Sequence, residues 1–205
     1  FVDLYDLILF NVVKEKSLAD LGFTGDAYRV LEVSLLNYQM WGMLTGGLIW
    51  GILGDKKGRA SVLFGSILMY SLANIANAFV IDIESYSAVR FIAGLGLAGE
   101  LGAAITLVSE IMDKEKRGYG TMVIVTMGAL GAVAAVFLSK LEMPFSPFQS
   151  WQNAYLIGGV LGLLLLTLRL GTFESNLFHH QETPTKCRGN FFLLFQSKER
   201  ALRYL

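Results

Sequence analysis

The 205-residue chain is 54% hydrophobic and only 17% charged, with a mean hydropathy of +0.51. Seventeen Lys and Arg balance seventeen Asp and Glu, so no net basic charge points to nucleic acid, and the apolar share exceeds that of an ordinary soluble domain. A single cysteine, Cys187, excludes an internal disulfide.

Apolar stretches lie near residues 1–13, 34–54, 60–80, 87–111, 119–139 and 152–172. From the second onward each reaches the roughly 20 residues a helix needs to cross a bilayer. None alternates polar and apolar positions, and a helix satisfies its own backbone groups in lipid, so helices are expected rather than strands. The fold class is therefore all-α integral membrane with six transmembrane helices. The first run opens at Phe1 and is too short before Lys14 to span, which leads to the expectation of a first helix cut at its N-terminal side and a fragmentary chain. No charged segment with a small-residue cleavage site frames it as a signal peptide.

Charges inside spanning helices are costly and each needs a reason. The first helix holds Asp3 and Asp6, three apart on one face. Two acids in a low-dielectric site tend to share a proton, which is the chemistry of proton coupling. Tyr5, beside Asp6, is a candidate hydrogen-bond partner or gate. The second helix adds Asn37, Gln39 and Thr45, with Asn37 and Gln39 on different faces. It also has two small-residue pairs, Gly42/Gly46 and Gly47/Gly51, suited to close helix contact. Trp41, Trp50 and Trp151 are expected at membrane interfaces.

Between the second and third helices runs Gly51-Ile-Leu-Gly-Asp55-Lys56-Lys57-Gly58-Arg59, a short basic hairpin. Asp55 and Arg59, four apart, can pair, and Asp55 can cap the third helix. Glu110 and Arg117 bracket the next loop on the same side and complete a charge network able to act as a conformational latch. The third helix carries Asn74 and Asn77, the fourth Thr106, Arg90 and, ten residues on from Arg90, Glu100. Arg90 either snorkels to an interface or faces inward, pairing with Asp3 or Asp6 or binding an anionic substrate. Glu100 falls near mid-span. Glycines crowd the fourth, fifth and sixth helices (Gly94, Gly96, Gly99, Gly102; Gly128, Gly131; Gly158, Gly159, Gly162), and the fifth has no proline from Thr121 to Leu138.

Residues 176–205 are polar and basic with a Phe191-Phe-Leu-Leu-Phe195 patch, suited to an amphipathic stretch at the inner membrane face or to a lead into a seventh helix. His179 and His180 are neighbours in this tail, and two adjacent histidines do not make a metal site. No nucleotide-binding glycine loop or metal-ligand cluster supports an enzyme, so no cofactor is expected beyond protons as coupling ion. Twelve Lys and Arg fall in the loops after the second, fourth and sixth helices, against four on the opposite side. The basic side is expected to be cytoplasmic, with both chain ends on it.

The hairpin motif, Arg90-Phe-Ile-Ala-Gly94, Glu110 with Lys116-Arg117-Gly118, and Glu174-Ser175 together resemble the major facilitator superfamily. The resemblance covers nearly the whole chain and implies the amino-terminal half of a twelve-helix bundle made of 3+3 inverted repeats. Residues 1–175 would form the six-helix bundle and 176–205 a central linker. Within the superfamily, Asp3-Leu-Tyr-Asp6 and Ala98-Gly99-Glu100 resemble metabolite:proton symporters, although Leu4 stands where that branch has a small residue. By resemblance, Asp3, Asp6 and Glu100 are proton or substrate groups and Arg90 their electrostatic partner. The implied function is import of a small, anionic metabolite with protons by alternating access in a bacterial inner membrane. Its partners would be the substrate, the lipid bilayer and a C-terminal half. A proton-coupled drug or metabolite exporter and an uncoupled facilitator are the alternatives.

Overall fold

The structure, a computed structural model, describes residues 1–113, 115–140 and 147–169. They form six helices: α1 (Val2–Asp20), α2 (Asp26–Lys57), α3 (Arg59–Asn77), α4 (Ile83–Ile111), α5 (Arg117–Leu138) and α6 (Ser150–Arg169). Each apolar stretch has its helix, but several helices outrun their stretches. α1 continues past Val13 to Asp20, and α2 starts at Asp26 rather than near 34. The apolar run marks what lipid or the core covers, whereas the helix extends as far as its backbone bonds continue. At 32 residues α2 is about 48 Å long, well beyond the hydrocarbon thickness of about 30 Å.

By length and composition alone, only α5 and α6 (through Leu168) among the described helices qualify as membrane spans; the apolar part of α3, Ser61–Asn77, is shorter. Six helices stand where six apolar stretches led to their expectation, and length and composition by themselves identify two of them as spans. In α1 the apolar run is interrupted by Asp3, Asp6 and Lys14, and Asp6, Arg90 and Glu100 are buried inside the bundle.

α2 lies mainly along α4, α3 packs on α4 and α6, and α1 packs on α5. Glycine sets the α2–α4 distance. A Cβ on Gly42 would fall 2.1 Å from the Phe91 carbonyl oxygen, and one on Gly94 would fall 2.2 Å from that of Gln39. Gly46 faces the Leu95 backbone in the same way. Gly47 and Gly51 have nothing within 4 Å, so the second small-residue pair expected on α2 is not at a helix contact.

The hairpin between α2 and α3 narrows to a single residue. Asp55, Lys56 and Lys57 belong to the last turns of α2, and Gly58 alone separates the helices. Gly58 sits at φ 92°, a left-handed backbone that side-chain-bearing residues avoid, and its N–H donates to the Gly54 carbonyl at 3.1 Å. The residue at the cap position of α3 is Gly58, which has no side chain to cap with.

The helix ends near Asp20, Asn77 and Ser150 meet at one end of the bundle over an apolar core that includes Leu9, Phe10, Leu18, Tyr86, Trp151 and Tyr155. Trp151, expected at an interface, is instead buried, and its indole N–H donates to the Asp20 carboxylate at 2.6 Å, tying α6 to α1. Gln152 ties α6 to the end of α3 through the Ala78 carbonyl at 2.8 Å. Long apolar faces stay exposed on α2 (Trp41, Leu44, Leu48) and on α5 (Met122, Val125, Phe137).

Candidate functional site

Asp6 from α1 and Arg90 from α4 meet inside the bundle, both 0% exposed, with the guanidinium 3.8 Å from the carboxylate. α2 bridges them through Gln39: its amide nitrogen donates to Asp6 Oδ2 at 3.4 Å, and its amide oxygen accepts from Arg90 at 3.5 Å. That orientation is the one the charges demand, donor to carboxylate and acceptor to cation. α3 contributes Asn77, whose Oδ1 accepts from Arg90 Nε at 3.3 Å. Four helices thus converge on one charge pair, and Arg90 does not snorkel to an interface.

Three rings surround the guanidinium: Tyr155 at 4.8 Å, Phe10 at 5.1 Å and Tyr86 at 5.9 Å. Above them runs a ladder of hydroxyls, Tyr155 to Tyr86 at 3.1 Å and Tyr86 to Ser17 at 3.2 Å. Ser17 gives its own proton to the Lys14 carbonyl at 3.1 Å. With one proton per hydroxyl, the ladder has a consistent direction: Tyr155 donates to Tyr86, and Tyr86 to Ser17.

The pair is not saturated. Among the described residues, Asp6 Oδ1, one terminal nitrogen of Arg90, both amide atoms of Asn74, the amide nitrogen of Asn77 and the Ser71 hydroxyl are buried without a hydrogen-bond partner. Asn74 stands beside Asp6, and Ser71, Asn74 and Asn77 follow one another at three-residue steps on one face of α3. A buried carboxylate with one oxygen outside the Gln39 and Arg90 contacts is a group that can take up a proton.

The other expected residues sort into three sets. Asp3 is half-buried and Glu100 buried. Tyr70 of α3 lies within electrostatic reach of Asp3, Asp6 and Glu100. Ten residues along α4 put Glu100 about 15 Å from Arg90 along the axis, so the four ionisable groups are not one cluster. Tyr5 is buried but gives its hydroxyl proton to the Ala154 carbonyl at 2.8 Å, not to Asp6. Asn37 is exposed on the far side of α2 from Gln39, and Thr45 returns its hydroxyl to its own helix at Trp41 and Gly42.

At the opposite end, Asp55 and Lys56 are exposed, and Arg117 donates to the Met112 carbonyl at 3.1 Å, closing the end of α4. The side chains of Arg59 and Glu110, the other members of the expected latch, lie outside the described set, as do residues 170–205 with the linker, Cys187, His179 and His180. The residues that sequence reading passed over are Phe10, Tyr86, Tyr155 and Ser17. A signal existed for two of them: Phe10 follows Asp6 by four residues and Tyr86 precedes Arg90 by four, which puts each on its partner's helix face.

Near the Asp20 end, two carboxylates are held below their ordinary range. The Glu32 carboxyl is lowered chiefly by a hydrogen bond from Lys14, and Asp82 by its bonds to the Ser85 hydroxyl and N–H. Asp82 and Ser85 make an N-terminal cap for α4.

The sequence profile of the Major Facilitator Superfamily matches residues 2–188. Over 119 residues the chain is 39% identical to the niacin transporter NiaP of Acinetobacter baylyi, covering 58% of this chain and 26% of that protein. It is 33% identical over 138 residues to the 4-hydroxybenzoate transporter PcaK of Pseudomonas putida, covering 67% and 30%. The chain therefore spans less than a third of either relative's length. Its fold is similar to that of the xylose transporter XylE from E. coli in an inward open conformation, with a TM-score of 0.71 at 15% identity, covering 98% of this chain and 51% of that one. With a family profile running over nearly all of its residues and the six-helix fold to match, this chain belongs to the Major Facilitator Superfamily.

Proposed function

We propose that the chain forms the amino-terminal six-helix half of a twelve-helix secondary transporter, residues 1–175, followed by a central linker over 176–205. In this reading the transporter imports a small anionic metabolite together with protons by alternating access, with the Gly58 end in the cytoplasm. The observation that carries it is the fully buried Asp6–Arg90 pair spanning α1 and α4. A charge pair held in a bilayer-facing bundle is expensive, and a function that changes its protonation accounts for its presence. Proton uptake on Asp6 removes the counter-ion of Arg90, and the free energy of that change can bias one arrangement of α1 and α4 over another. Asp3, Glu100 and the polar face of α3 would lead protons to and from Asp6.

Aromatic monocarboxylates are the substrate class to try first. Niacin and 4-hydroxybenzoate, named for two relatives, are both of that kind. One proton carried with a monoanion makes import electroneutral. An uncoupled facilitator or an exporter is the competing reading.

The test uses the intact protein in proteoliposomes under an inward proton gradient, with a pH dye inside and a panel of organic anions outside. Asp6→Asn is expected to abolish substrate-driven proton entry, and Glu100→Gln to slow it. Uptake that proceeds unchanged without a gradient, and in both variants, would identify a facilitator and reduce the buried acids to structural parts.

A further inference from the structure

The guanidinium of Arg90 has two kinds of partner, and only one is charged. Asp6 supplies a carboxylate at 3.8 Å. Phe10 of α1, Tyr86 of α4 and Tyr155 of α6 supply ring faces at 5.1, 5.9 and 4.8 Å. All five side chains are 0% exposed. The negative face of an aromatic ring attracts a cation, most strongly where both are out of water. The rings are also held independently of Arg90. Tyr86 stands edge-on to Phe10 at 6.4 Å, Tyr155 edge-on to Trp151 at 6.3 Å, and the hydroxyl ladder joins Tyr155, Tyr86 and Ser17.

A guanidinium keeps its proton in a protein, so Arg90 stays charged when Asp6 becomes neutral. A buried cation stripped of its partner is strongly destabilising unless something else holds it. We infer that Phe10, Tyr86 and Tyr155 form an aromatic cage that holds the Arg90 charge while Asp6 is protonated, allowing the pair to open without expelling the guanidinium. The carbonyl oxygens of Gln39 and Asn77, already on Arg90, support the cation in both states. The three aromatic residues act through Arg90 and are positioning residues. This inference rests on the reading of Asp6 as the group that takes up the proton.

The test is a stability cycle on the intact protein in detergent. Asp6→Asn mimics the neutral acid, Tyr155→Leu removes the nearest ring face, and Tyr155→Phe keeps the face while deleting the hydroxyl. Tyr155→Leu is expected to lower the melting temperature by at least about 5 °C more in the Asp6→Asn background than in the wild type. Tyr155→Phe should show no such difference. Equal losses in the two backgrounds overturn the cage, because ordinary ring packing is indifferent to the charge on Asp6.

Should Asp6→Asn not fold, the Arg90→Met background supplies the second leg. With no cation to hold, Tyr155→Leu should cost less there than in the wild type, and an equal cost overturns the cage. Transport and cage fail separately. An additive cycle with proton-driven uptake lost in Asp6→Asn rejects the cage alone. A coupled cycle with uptake intact shows the rings holding the Arg90 charge but rejects Asp6 as the proton carrier, and with it the role of the cage in opening the pair.

Discussion

Among single residues, Arg90 is the most consequential, because it is the largest fully buried side chain among the described residues and carries a permanent charge. Arg90→Leu leaves Asp6 without its cation and Gln39 and Asn77 without their donor. A loss on the order of 3–5 kcal/mol is expected in thermal or denaturant unfolding, with much of it recovered in the double variant Asp6→Asn, Arg90→Leu. No loss in the single variant would mean that the pair is not formed.

Asp82 gives a pH signature at the same scale. Its carboxyl is lowered by Ser85, so its stabilising contribution is complete above the ordinary aspartate value and disappears as pH falls through the lowered one. Asp82→Asn should therefore destabilise the protein at neutral pH, and its difference from wild type should shrink in acid. A difference that is constant across an acid titration would rule out the ionic cap. Sequence reading found both ends of the Asp6–Arg90 pair but not the rings around them, because an aromatic residue in an apolar helix is indistinguishable from core until its neighbours are placed.

Helix packing depends on where backbones touch, and here the glycines separate into two kinds. Gly42→Ala and Gly94→Ala would each drive a Cβ to about 2 Å from a carbonyl oxygen of the facing helix. Backbone cannot yield as a side-chain tip can, so α2 and α4 must move apart. A loss of several kcal/mol follows from overpacking of this severity, together with displacement of Gln39 from the ion pair. Gly47→Ala meets nothing within 4 Å and replaces a poor helix former by the best one, so it should hold or gain up to about 1 kcal/mol. Thermal unfolding of the purified variants checks the contrast; equal losses at Gly42 and Gly47 would contradict the α2–α4 crossing. Spacing showed two small-residue pairs on α2 without distinguishing them, since which face of α2 meets α4 is a tertiary fact.

For the whole molecule the open question is orientation. Connectivity alone puts the ends of α1, α3 and α5 at one side of the bundle with the starts of α2, α4 and α6. The proposed orientation, drawn from loop charge, has the other side, rich in Lys and Arg, facing the cytoplasm. In a Cys187→Ser background, a cysteine placed at Ser61 should be labelled by an impermeant thiol reagent only after the cell is opened. One placed at Thr24 should be labelled on intact cells. The reverse pattern would invert the topology and, with it, the direction of proton entry proposed for Asp6. The exposed apolar faces of α2 and α5 fit a lipid environment or a second helical half, as the length of the family's relatives leads one to expect.

Sequence by itself determined the six helices of the described residues, the family and which ionisable residues fall within those helices, because apolar run length, the Gly51–Arg59 motif and the rarity of charge in apolar helices are all local statements. Tertiary structure alone decided that Arg90 meets Asp6 rather than an interface and that Glu100 stands a separate distance down α4. It also decided that Tyr5 serves Ala154, that Gly58 alone separates α2 from α3, and that three rings from three helices close around one cation. Each of these depends on side chains far apart in the chain arriving at one place, and that is set by which helix faces pack together.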